Sequence, residues 1–509
     1  MRVARRTALV GALLVGALSL SGCAAWFGGG VPLKSTPTGE KVSAELQPFY
    51  NQVLTWSACE GGLQCATAEA PLDWGDPSRD SIELALIRKV STGERTGSLL
   101  VNPGGPGASG YEFVRDSLDF AVSARLQSNF DIVGFDPRGV NKSSAVDCYD
   151  DPDELTAYLY DLSPETVGSE EWIDDLEESS ARFAQACLEH TGDLLGFVDT
   201  TSAARDLDLL RAILGDEKLN YLGYSYGTLL GATYADLYPT KTGRMVLDGA
   251  VDPATTDFEV TATQAQGFES ALRAYIADCM TGTECPFRGS VDEAMEDIRA
   301  LFDSLNESPL RATDGRMLGS GAMFNALILP LYSVSTWGYL TDLFVEVMSG
   351  RADLAFQLAD SYYGRSADGT FEDNKTEAFI AINCLDYVST STRETLHAEA
   401  EELARLAPVL GPQMSYGGTS CEQWPFPATR ERVPIVAAGS GPIVVVGTTN
   451  DPATPYEWAK SLSDQLENGH LVTYNGEGHT AYNKSNACVN DAVDGYFIDG
   501  SVPEKDPDC

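Results

Sequence analysis

The sequence predicts an α/β protein: a mostly parallel sheet flanked by helices on both faces, with a helical cap inserted late in the chain. Three observations predict it. Short apolar runs at 98–101, 130–135, 219–222, 244–249 and 442–447 read as buried strands, and the earlier ones alternate with helical patterns. Between 252 and 415 apolar residues recur at helical spacing with no convincing strand among them. Several strand ends run into stretches rich in Gly, Pro, Asn and Asp, which let a chain turn tightly, and in such sheets ligands bind beyond the carboxyl ends of the strands.

The amino terminus points to export. Arg2, Arg5 and Arg6 precede an apolar stretch, 8–20, that closes on Leu20-Ser21-Gly22-Cys23. That run is shorter than the roughly 20 apolar residues a membrane-spanning helix needs, and it ends on small residues as a cleavable signal does. The ending resembles the lipobox of bacterial lipoproteins, which implies lipidation of Cys23 and a membrane anchor; ordinary secretion with Cys23 removed or left idle is the alternative. The expected layout is a signal peptide at 1–22, a flexible tether at 23–45, a first core part at 46–251, the cap at 252–415 and a second core part at 416–509.

Eleven cysteines less Cys23 leave ten, an even number that suits disulfides in an oxidising compartment. Spacing alone does not settle connectivity. Proximity along the chain favours Cys59 with Cys65, Cys279 with Cys285, Cys148 with Cys187, Cys384 with Cys421 and Cys488 with Cys509. None of these pairs has C-x2-C spacing and the chain has only 4 His, so no metal site is indicated. The formal charge of −41 argues against nucleic acid as a partner and against electrostatic adhesion to anionic lipid.

In chain order, 49–69 is a cysteine-bearing leading segment, 82–87 alternates like a half-buried strand, and 98–101 opens onto Asn102-Pro103-Gly104-Gly105-Pro106-Gly107. The strand 130–135 ends in Asp136-Pro137-Arg138-Gly139, and the acidic stretch 147–180 reads as a solvated surface insertion. A helix over 201–214 closes at Gly215. In the cap, Tyr332, Trp337, Tyr362 and Tyr363 are read as packing residues, with a substrate channel as the alternative. The sheet resumes at 442–447, and 470–474 is the last strand.

The chemistry is carried by Gly223-Tyr224-Ser225-Tyr226-Gly227, placed between an apolar run and a helical pattern. Glycines on either side of a serine suit a tight strand-to-helix bend that lifts the hydroxyl to the top of a sheet. A serine hydroxyl needs a base to take its proton and a carboxylate to orient that base. His479 and Asp451 each follow a later strand, in the chain order Ser, Asp, His. An oxyanion needs two N–H donors, expected from Tyr226 and Gly105, since Pro106 has no N–H to give.

These motifs, with Gly134-Phe135-Asp136-Pro137-Arg138-Gly139, Asp451-Pro452-Ala453-Thr454-Pro455 and Gly476-Glu477-Gly478-His479, resemble a known group. They resemble the α/β-hydrolase serine peptidases of the tripeptidyl aminopeptidase-like and proline iminopeptidase-like family, exported by actinobacteria and including mycobacterial envelope lipoproteins. Iminopeptidases usually carry His-Gly-Gly-Pro-Gly, whereas Asn102-Pro103 precede the Gly-Gly-Pro-Gly here, which favours the tripeptidyl branch. The resemblance implies an α/β-hydrolase fold, peptide or protein substrates cleaved near a free amino terminus, no cofactor, and acidic side chains that hold the substrate ammonium, with Asp386 the candidate. An esterase acting on acyl esters would use the same three residues.

Overall fold

The computed structural model describes residues 34–389, 391–428, 430–502 and 506–509. The expected signal peptide, Cys23 and the first part of the tether lie outside the described residues.

The main sheet runs in the order β1 (Ser57–Ala58), β2 (Gln64–Pro71), β3 (Ser81–Lys89), β5 (Phe130–Phe135), β4 (Gly97–Asn102), β6 (Leu219–Tyr224), β7 (Thr242–Asp248), β10 (Ile443–Asn450) and β11 (Gly469–Glu477). From β5 to β11 every pairing is parallel, and β1, β2 and β3 form an antiparallel edge. Because side chains alternate along a strand, each central strand feeds two cores. Leu100, Tyr221, Leu247 and Val445 face the helices Thr200–Leu214, Tyr226–Leu237 and Tyr456–Gln465. Leu99, Leu222, Val246 and Val446 face the helices Gly110–Asp116 and Ala487–Asp499. Burial on both sides is why these runs read as continuously apolar.

The structure departs from the sequence expectations in three places. The leading segment contains β2, which pairs with β3 from Gln64 opposite Arg88 to Pro71 opposite Ser81. Its Ala and Glu residues have little strand preference of their own, and the pairing with β3 supplies what propensity does not. The acidic stretch is more than a solvated insertion. It folds into the helices Pro152–Tyr160 and Glu170–Thr191, whose Leu155, Phe183 and Cys187 are buried with Ala378, Ile382 and Leu385. The cap, otherwise built of helices between Asp257–Cys279 and Arg393–Leu406, contains a small hairpin, β8 (Leu310–Arg311) with β9 (Met317–Leu318). Its Asp314-Gly315 pair, with Gly315 at φ +100°, is the turn signal that a purely helical reading passes over.

All five disulfides pair as proximity suggested: Cys59–Cys65, Cys148–Cys187, Cys279–Cys285, Cys384–Cys421 and Cys488–Cys509. Among the described residues no helix is long and apolar enough to cross a membrane.

Polar bonds fasten one cap helix, Lys375–Asp386, to the core. Just before it, the Asn374 amide donates to the carbonyls of Gly139 at 2.9 Å and Val146 at 2.7 Å and accepts from Asn141 N–H at 2.8 Å. Glu377, 6 % exposed, accepts from Cys148 N–H at 2.9 Å. Burial pushes the Glu377 carboxyl up to about 7, only partly offset by that hydrogen bond. The folded protein therefore holds a proton on Glu377 through the window from about 4.5 to 7, where the unfolded chain releases it. Stability should fall as pH rises through this window by about 2 to 3 kcal/mol from this group. Denaturant titrations at pH 5 and pH 8 check this: Glu377→Gln should lose most of that difference.

Candidate active site

β6 ends at Tyr224, and Ser225 turns the chain into the helix Tyr226–Leu237 with φ 55° and ψ −126°. A non-glycine residue at positive φ costs of order 1 to 3 kcal/mol and persists only where its surroundings enforce it. Two glycines do much of the enforcing. A Cβ on Gly223 would stand 2.4 Å from the Gly227 carbonyl oxygen, and one on Gly227 would stand 2.7 Å from Asn102 Oδ1. The Ser225 N–H donates to the Asp248 carbonyl at 2.9 Å, tying the bend to the neighbouring strand.

The glycine-rich loop after β4 presses on this bend. A Cβ on Gly104, at φ +103°, would lie 2.6 Å from the Tyr224 carbonyl oxygen and 2.8 Å from Ser225 Cβ. Asn102 Oδ1 accepts the Gly104 N–H at 3.0 Å, which leaves Gly105 as the next donor along the loop. Tyr226 N–H lies in the first helical turn, where amides have no intrahelical acceptor. Just beyond the loop, buried Asp136 accepts from Ser109 Oγ at 2.6 Å and Tyr111 N–H at 3.0 Å, so the aspartate of the Asp-Pro-Arg-Gly motif braces the loop. Arg138 of the same motif is buried and bidentate on Asp206, with both bonds at 2.7 Å.

The Asp451 carboxylate accepts from His479 Nδ1 at 2.9 and 3.0 Å, from Ala453 and Thr454 N–H at 2.9 Å each, and from Thr480 N–H at 3.1 Å. Thr454 Oγ1 lies 3.1 Å from Asp451 Oδ2 and 3.3 Å from His479 Nδ1. With Nδ1 held by the carboxylate, Nε2 is the ring nitrogen available to exchange a proton. The His479 N–H donates to the Tyr332 carbonyl at 2.8 Å, and the Tyr332 ring meets the imidazole edge-on at 5.3 Å. Tyr332, Trp337, Tyr362 and Tyr363 all pack in the cap core, and Tyr332 thus also contacts the site. The imidazole Cε1 lies 3.2 Å from where a Cβ on Gly249 would stand, beside the Asp248 whose carbonyl holds Ser225. Ser225 and His479 thus abut the same dipeptide.

Asp386 is buried, with Thr200 N–H donating to one oxygen at 2.9 Å and Thr200 Oγ1 bonded to the other. Thr200 Oγ1 also bonds the Tyr226 hydroxyl, so Asp386 lies two hydrogen bonds behind the elbow. Burial raises its carboxyl to about 6 against the opposing pull of the Thr200 bonds. Among the described residues the side chains grouped so as to hold a metal ion are Asp147, Asp150 and His190, all exposed and none of them at this site.

Sequence reasoning missed Thr454 and Asp248. Thr454 was readable in principle, since Asp-Pro-x-Thr is the pattern of an aspartate bonding its own downstream amides. Asp248 acts through long-range contacts that carry no local signal, and Tyr332, read as a packing residue, packs and also touches the histidine.

Strand order and the bend at Ser225 are those of an α/β-hydrolase, and the chain is a serine hydrolase. Residues 97–306 match the family model described as alpha/beta hydrolase fold, and 407–509 match the one described as TAP-like protein. The chain is 36 % identical to serine protease Hip1 of Mycobacterium tuberculosis, over 100 % of this chain and 98 % of that protein. It is 37 % identical to carboxylesterase B of the same species, covering 94 % and 96 %, and 30 % identical to tripeptidyl aminopeptidase of Streptomyces coelicolor, covering 88 % and 83 %. It belongs to the α/β-hydrolase family of serine peptidases of the tripeptidyl aminopeptidase type.

Gly104 supplies a test of the elbow. In Gly104→Ala the new methyl must displace the Ser225 bend or the loop, so the rate of covalent labelling by a fluorophosphonate should fall about 100-fold or more. Labelling at the wild-type rate would show that the loop does not set the serine's geometry.

Proposed function

We propose that this chain is an exported, lipid-anchored serine exopeptidase that cleaves peptides near a free amino terminus. Ser225 Oγ attacks the scissile carbonyl while His479 Nε2 takes its proton, and Asp451 orients the imidazole and balances its charge. The N–H groups of Gly105 and Tyr226 hold the oxyanion. His479 returns the proton to the leaving amine, and water then releases the acyl-enzyme. Cys23 carries the lipid. The observation that carries the reading is the His479–Asp451 hydrogen bond at 2.9 Å, on a loop that abuts the strand end holding Ser225.

The peptidase assignment draws on the serine protease and tripeptidyl aminopeptidase relatives. Asp386 is assigned to the substrate ammonium. Thr200 occupies its oxygens, so its charge rather than a free oxygen acts, and that charge is present at neutral pH. The formal charge of −41 also favours the approach of a cationic terminus. Esterase activity on acyl esters is the second reading, favoured by the carboxylesterase relative.

Peptide amides with free amino termini, their N-acetylated counterparts and short-chain esters separate the two readings. The exopeptidase reading expects turnover of the free-amine peptides, loss of at least about 1,000-fold on N-acetylation or in Ser225→Ala, and release of a fixed number of residues from a peptide library. Turnover of esters alone would sink it. Asp386→Asn keeps both Thr200 contacts available and should raise KM about 10-fold for free-amine substrates while leaving ester turnover unchanged. An equal effect on both substrates would remove Asp386 from ammonium binding.

A further inference from the structure

Asp248 ends β7 with no solvent exposure, and the triad chemistry does not use its side chain. Its backbone carbonyl accepts the Ser225 N–H at 2.9 Å. Its carboxylate accepts the Ala481 N–H at 3.0 and 3.1 Å and the Tyr482 N–H at 2.8 Å. One residue thus bonds the serine bend through its main chain and the histidine loop through its side chain. In the sheet it lies opposite Tyr224 on one side and Val446 on the other, between the strand that delivers Ser225 and the strand that delivers Asp451.

A fully buried carboxylate needs compensation beyond backbone donors. Lys484, three residues past Ala481, is the cation whose charge draws the Asp248 carboxyl down, while burial in turn draws the lysine's own pKa below its ordinary value. Its ammonium bonds Thr480 Oγ1 and sits 5.1 Å over the Tyr224 ring and 4.5 Å over the Phe120 ring. Thr480 is the residue whose N–H holds Asp451. The carboxylates whose charge acts on Lys484 are Asp248 from β7 and Asp451 from the turn after β10, and the ionisable ring beneath it is Tyr224 from β6. Asp119, on the segment of Phe120, turns its carboxylate to Gln127 instead.

We propose that Asp248 and Lys484 form a positioning pair for catalysis: Asp248 sets the spacing between Ser225 and His479, and Lys484 is the shared counter-cation of Asp248 and Asp451. The inference rests on the triad reading above and goes beyond it. Without the Asp248 carboxylate the histidine loop loses its bonds to the strand end that holds Ser225, and reacting groups displaced by about 1 Å can lose two orders of magnitude in rate. Without Lys484 the Asp248 carboxyl loses the cation that draws it down against its burial, so it takes up a proton at higher pH and its hold on the histidine loop changes. That moves the acidic limb of activity to higher pH.

The test uses the full chain with its disulfides. Asp248→Asn should remain folded by thermal melting, lose about 10- to 100-fold in kcat with KM changed less than about threefold, and lose fluorophosphonate labelling rate in proportion. Lys484→Met should shift the acidic limb of the labelling rate upward by roughly half a pH unit or more, and Lys484→Arg should restore it. Folded Asp248→Asn with wild-type kcat and labelling overturns the proposal. Should Asp248→Asn fail to fold, the lysine pair decides: an unshifted profile in Lys484→Met overturns it, and a shift reversed by arginine supports it. Labelling separates this inference from the peptidase reading. A wild type that labels at Ser225 without cleaving peptides sinks only the peptidase assignment, and one that does not label sinks both.

Discussion

The hydrogen bond between His479 and Asp451 exists because β10 and β11 are parallel neighbours whose carboxyl ends emerge on the same edge of the sheet. Parallel strands place their ends in one row, and a residue just past each end is a short reach from the residue past the next. β6 and β7 extend that row toward Ser225.

The Ser225 bend shows how strain is held there. Its positive φ is unfavourable for a serine, and it persists because Gly104, Gly223 and Gly227 allow backbones to approach more closely than any side chain permits. Asp248 adds the hydrogen bond that holds the bend against β7. For the attack proposed for it, a hydroxyl held in this way would need little reorganisation, which is the usual advantage of a preorganised site.

The cap is more than a cover. Asn374, Glu377 and Asp386 bond one cap helix and its leading turn to core loops, and Gly107 packs so closely that a Cβ there would stand 2.6 Å from the Lys375 carbonyl. At the other side the Tyr332 carbonyl accepts the backbone N–H of His479. Cap residues therefore reach both the glycine-rich loop and the histidine loop, so a change in cap packing can alter the site's geometry as well as its access.

What the amino-acid sequence determined by itself was what local chemistry can encode. Buried strands declare themselves as short apolar runs, the bend as Gly-x-Ser-x-Gly, and Asp451 and His479 as the polar residues that end two such runs. The cysteines, close enough along the chain, paired as proximity suggested. Only the tertiary structure decided the rest, because those features depend on partners far away in sequence. β2 is a strand through β3, not through its own alanines. The acidic helices bury one face against residues of the core and of a cap helix some two hundred residues later. Asp248 looked like an ordinary strand end, and the contacts that distinguish it, to Ser225, Ala481 and Tyr482, come from the folded chain alone.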